Sequence, residues 1–166
     1  MFNRRRKLSF ALAALCVLAA TAFVLHRNTP TTIPRVDFTT LGGERIASDS
    51  LHGKVVLVNF WSTTCTVCMH EMPHIAETYR TYSARGFDVI AVAMSYDRPD
   101  WVVDYSRRSA LPFKVAWDHD GTLQRAFENV DSTPVSFLID KHGRVLQRIV
   151  GAPDFGKLRE RIEQAL

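Results

Sequence analysis

Gly53-Lys54-Val55-Val56-Leu57-Val58-Asn59-Phe60-Trp61 decides the reading of this chain, because four residues further on it meets Cys65-Thr66-Val67-Cys68. The run from Lys54 to Phe60 is β-branched and apolar almost without interruption, the composition of a strand buried on both faces rather than one alternating between core and water. From Cys65 to Arg85 the spacing changes to that of a helix, with Cys68, Met72, Ile75 or Ala76, and Tyr79 on one side, Pro73 expected to kink it and Gly86 to stop it. A buried strand therefore passes directly into a helix that opens on a cysteine pair.

That placement supports a specific chemistry. Unpaired backbone N–H groups and the positive end of the helix dipole favour a thiolate over a thiol at Cys65. The thiolate can attack a partner's disulfide, and Cys68, one helical turn inside, can then resolve the mixed disulfide. An inert stapling bridge is the bland alternative, but closing so short a loop constrains the unfolded chain little. Metal binding is the chemical rival, since Met69, His70, Met72 and His74 crowd the same helix and thiolates are soft ligands, as a copper-delivery module would use them. No second cysteine pair completes a structural zinc set, and His70 and His74 read as solvated helix residues; no metal site is expected.

Outward from the pair, Phe87 to Met94 is a second buried strand, and strand, helix, strand implies a parallel crossover. Pro99 to Arg108 reads as a short helix and Phe113 to Trp117 as a weaker strand. Asp118-His119-Asp120-Gly121 lacks the spaced oxygens of a calcium loop and reads as a turn, with Asp120 capping a helix over Gly121 to Phe127. Val135 to Ile139 is a strand that turns at Asp140-Lys141-His142-Gly143 into Arg144 to Val150, and the chain closes with a helix from Asp154 whose stripe is Phe155, Leu158, Ile162 and Ala165. Short extended pieces at Val36-Phe38 and Arg45-Ala47, separated by Gly42-Gly43, form an N-terminal β-hairpin. Trp101, Tyr105 and Trp117 read as packing residues. The sum is an α/β domain, a central mixed β-sheet flanked by helices, over residues 35–166.

The chain has 166 residues, enough for one domain and an appendage. Of its 21 Lys and Arg, four are Arg4, Arg5, Arg6 and Lys7; the rest balance the 17 Asp and Glu, so the net +4 belongs to the N-terminus. The folded part offers no electrostatic case for nucleic acid. Leu8 to Leu25 carries no charge and as a helix would span roughly 27 Å, close to a bilayer core of about 30 Å. Residues 1–25 are therefore read as a basic cytoplasmic start and a transmembrane helix, with 26–34 as a linker and the rest facing outward by the positive-inside rule. Ala20-Thr21-Ala22 offers a cleavage site, but the apolar run continues past it, which favours a retained anchor. Cys16 reads as a small apolar residue of that anchor.

Together Gly53–Trp61, Cys65–Cys68, Glu71-Met72-Pro73, Thr133-Pro134 and Phe137-Leu138-Ile139-Asp140 resemble the TlpA/ResA-like thiol-disulfide oxidoreductases, membrane-tethered members of the thioredoxin superfamily. The resemblance implies a thioredoxin-like fold and a redox-active disulfide Cys65–Cys68 with no other cofactor. It implies a cis-proline at Pro134 with Thr133 offering backbone contacts to an incoming peptide. Glu71 occupies the position of an acid that influences proton transfer at the cysteines, against the alternative of a solvated helix glutamate. Trp61 is similar to the family's active-site tryptophan, packing under the loop or lining the docking surface. The resemblance further implies an inner-membrane protein facing the periplasm or an equivalent space, exchanging disulfides with exported proteins and drawing electrons from a membrane donor. A reductant role in cytochrome c maturation or copper-site assembly is favoured over an oxidant or isomerase. Thr64, the pair Thr66-Val67 and Ser132 depart from the common pattern, which bears on redox potential and partner choice.

Overall fold

The computed structural model describes residues 31–166, so the expected membrane helix and most of the linker lie outside the described residues. Thr32–Leu166 forms one unit. Thr32, inside the stretch read as a linker, bridges to Arg144, and the Ile33 amide donates to the Gly143 carbonyl at 2.8 Å.

Among the described residues seven strands and four α-helices follow in chain order: β1 (Asp37–Thr39), β2 (Arg45–Ala47), β3 (Val55–Trp61), α1 (Thr66–Tyr82), β4 (Phe87–Ala93), α2 (Pro99–Arg108), β5 (Lys114–Trp117), α3 (Thr122–Ala126), β6 (Val135–Ile139), β7 (Val145–Val150) and α4 (Phe155–Ala165). β1 and β2 pair antiparallel as a separate two-stranded sheet. The other five make a mixed sheet in the order β5-β4-β3-β6-β7, with β3 parallel to β4, β4 parallel to β5, and β6 antiparallel to both β3 and β7. β3 is central and buried along its whole length, as its apolar composition requires.

Alternation along β3 divides its side chains between two cores. Val55, Leu57 and Trp61 pack with Met72 and Ile75 of α1, Val102 of α2, and Leu158 and Ile162 of α4. Val56, Val58 and Phe60 face the opposite core, where Phe38, Phe127 and Phe137 gather. There the ring of Phe127 lies 5.3 Å from that of Phe60 and 5.2 Å from that of Phe137, both edge-on. Asn59, by the same alternation, points to the α1 side.

Local chemistry sets the element ends. α1 is continuous through Pro73 and closes in a 3-10 turn, Ser83–Arg85, with Gly86 at φ 97°, a left-handed conformation that glycine adopts without a Cβ clash. Asp154 caps α4 by accepting from the Gly156 and Lys157 amides. The start of α3 differs from expectation: Asp118, not Asp120, holds it, its two oxygens accepting from the Leu123 and Gln124 amides at 2.9 and 2.8 Å, while Asp120 reaches no further than Thr122. Gly121, at φ 72°, turns the chain so that the earlier aspartate faces the helix end. Trp101 also departs from its reading as a packing residue. It is 47% exposed, with the Arg98 guanidinium 4.9 Å over its ring.

Candidate active site

β3 delivers the chain to the end of the sheet, where Ser62, Thr63 and Thr64 bridge to α1. Cys65 is the N-cap of α1 and its sulfur accepts the Cys68 amide at 3.2 Å, taking up one of the N–H groups a helix start leaves open. Cys65 and Cys68 form a disulfide with Cα atoms 5.2 Å apart. The two sulfurs are not equivalent. Cys65 is half-buried and Cys68 fully buried, so an approaching partner meets Cys65 first.

Two further loops converge here. β6 pairs with β3 in a register that sets Val135 opposite Phe60, which brings Thr133-Pro134 to the same sheet end as the cysteine loop. The Thr133–Pro134 peptide is cis, Pro134 is buried and Thr133 half-buried. After β4, Tyr96 and Asp97 tie both loops together. Asp97 accepts from the Thr63 amide and the Thr63 hydroxyl, each at 2.6 Å, and the Tyr96 hydroxyl lies 3.3 Å from Thr133 Oγ1. Asp97 is buried, and these two bonds to Thr63 hold the loop that leads to Cys65. Sequence reasoning missed both residues: they stand in a short loop more than thirty residues after Cys65, with no motif to mark them.

Glu71 lies one turn beyond Cys68 on the buried side of α1 and is 2% exposed, which removes the alternative of a solvated helix glutamate. Its Oε1 accepts from Asn59 Nδ2 at 2.9 Å, and Oε2 has no hydrogen-bond partner among the described residues. Burial pushes its carboxyl up from 4.5 to about 7, against the opposing pull of the Asn59 hydrogen bond. Trp61 is completely buried and packs against Tyr105, ring centres 5.4 Å apart, so it offers no surface to an incoming partner. His70 and His74 are exposed, and His74 stacks beside Phe155 at 5.1 Å. Among the described residues no three His, Cys, Asp or Glu side chains gather as a metal site.

A thioredoxin-like mixed sheet carrying a helix-end disulfide defines a thiol-disulfide oxidoreductase, a protein class that works through that disulfide itself. The comparisons with known proteins agree. The chain belongs to the Redoxin family, whose profile matches residues 29–166. It is 31% identical over 172 residues to the thiol-disulfide oxidoreductase ResA of Bacillus thuringiensis subsp. konkukian, covering 97% of this chain and 98% of that one. With the protein of the same name from Bacillus cereus it shares 36% over 132 residues, covering 79% and 75%. The solution structure of a thioredoxin-like protein from Neisseria meningitidis superposes with a TM-score of 0.76 at 39% identity, over 82% of this chain and 91% of that one. The chain is thus a thiol-disulfide oxidoreductase of the ResA type.

Proposed function

We propose that this protein is a membrane-anchored reductant of disulfides in exported proteins, with cytochrome c maturation or the reduction of a copper-site protein as its setting. The observation that carries the chemistry is the asymmetric disulfide, one sulfur reachable at a helix N-terminus and the other buried behind it. In the reduced enzyme, Cys65 thiolate attacks one sulfur of the partner's disulfide; the Cys65–partner bond forms as the partner's S–S bond breaks, and one partner thiolate leaves. Cys68 then gives up its proton and attacks Cys65 Sγ. The Cys65–Cys68 bond forms, the second partner thiolate departs, and two electrons have passed to the partner. A dithiol donor on the membrane side restores the enzyme by the same exchange.

Glu71, one helical turn from Cys68 and with a carboxyl poised about 7, is suited to take and return the Cys68 proton at neutral pH. Two exposed apolar side chains flank the site: Val67, 46% exposed, between the cysteines, and Tyr96, 59% exposed, beside Thr133. They offer a hydrophobic rest for an extended polypeptide, while Thr133 presents its backbone beside Pro134. Anchoring rests on the basic cluster and the uncharged run from Leu8 to Leu25.

The decisive experiment changes Cys68 to serine in the full chain and collects proteins trapped on Cys65 in the exported compartment; apocytochromes or copper-site proteins are expected. If nothing accumulates and the parent protein reduces no test disulfide, the proposal is wrong. Equilibration with glutathione separates a reductant from an oxidant or isomerase, since about 30 mV changes the two-electron equilibrium tenfold.

A further inference from the structure

Asn59 is the polar exception in a strand otherwise made of valine, leucine, phenylalanine and tryptophan. Ser136 stands opposite it in β6, and both are essentially inaccessible to water. Asn59 Nδ2 spends its two hydrogens on two acceptors: Glu71 Oε1 at 2.9 Å and Ser136 Oγ at 3.0 Å. Asn59 Oδ1 and Glu71 Oε2 have no partner among the described residues. A buried amide is retained at a cost unless its hydrogen bonds are all made, and an apolar residue of the same size would pack there without that cost. What the amide adds is a donor aimed at a carboxyl.

The carboxyl is held unevenly. Its bare, desolvated oxygen favours a bound proton, whereas an N–H donated to the other oxygen favours the ionised form. On α1 the titratable neighbours of Glu71 are Cys68, one turn before it, and His74, one turn after and turned to solvent. From β3 and β6 the polar groups facing it are Asn59 and Ser136, both uncharged. No Lys or Arg contributes to its altered proton affinity; burial and Asn59 are its causes.

We infer that Asn59, with its amide oriented by Ser136, is the positioning residue that lets Glu71 release its proton within the buried redox centre. Ser136 takes the second N–H of the amide, so that Asn59 turns its nitrogen and not its oxygen toward Glu71. Without the pair, Glu71 stays protonated at neutral pH and can no longer accept a proton from Cys68. The inference rests on the proposed role of Glu71, but the hold of Asn59 on that carboxyl can be observed apart from catalysis.

The test follows the 13C carboxyl resonance of Glu71 against pH in the oxidised full-length protein, where Cys65 and Cys68 are joined and do not titrate. Asn59→Leu is expected to move the midpoint upward by about one pH unit or more, a tenfold weaker acid. Ser136→Ala is expected to move it in the same direction by less. A midpoint that stays in place or moves down in Asn59→Leu overturns the inference. Should that variant not fold, Ser136→Ala decides by the same criterion. Separately, the pH profile of disulfide exchange is measured for Glu71→Gln: an unchanged profile removes Glu71 from proton transfer, yet leaves the carboxyl titration to judge Asn59 by itself.

Discussion

Replacing Glu71 by glutamine should change how the stability of the oxidised protein depends on pH. In the unfolded chain the Glu71 carboxyl ionises near 4.5, whereas in the fold burial lifts it to about 7. Between those values the native state binds more protons than the unfolded state, so stability falls as pH rises through the window and then levels off. At about 1.4 kcal/mol per pH unit, the ionised carboxylate costs the fold about 3 kcal/mol by pH 8. Glutamine keeps the shape and an acceptor for Asn59 but never ionises. Urea unfolding of the oxidised parent and variant should therefore show a stability difference that grows by about 3 kcal/mol in the variant's favour between about pH 4.5 and about pH 8. Working with the disulfide intact removes the titration of Cys65 and Cys68, and subtracting the two proteins cancels every other group they share. If the difference stays constant across that range, Glu71 does not carry the raised proton affinity on which its proposed role depends.

Two other outcomes test the surroundings of the site. Asp97→Asn leaves an amide nitrogen facing one of the two Thr63 donors, and should cost about 1–3 kcal/mol in unfolding free energy while slowing the reduction of a test disulfide, because the approach to Cys65 loses its hold. Phe127→Ala empties a site where three aromatic rings meet on the face of the sheet away from the cysteines; a loss of about 3–5 kcal/mol in stability is expected, with the exchange rate per folded molecule unchanged.

Much of the fold could be read from local pattern. The uninterrupted apolar run at β3, the helical spacing of Met72, Ile75 and Ala76, and the stripe Leu158 and Ile162 each follow from which side chains water excludes, and that preference is written within a few residues of chain. The start of α3 was less legible. Asp118 and Asp120 are equally good caps by type, and the backbone turn at Gly121 chose between them.

For the site, sequence alone determined the cysteine pair and its place at the mouth of a helix, because these depend on a spacing of three residues and on where a strand gives way to a helix. Tertiary structure decided the environment. It sank Glu71 beneath the helix, turned Asn59 toward it, and brought Asp97 and Tyr96 to the loops of Thr63 and Thr133. Proton affinity and loop position are set by what lies across the sheet in space, and the register that aligns β3 with β4 and β6 emerges only when both cores close around it.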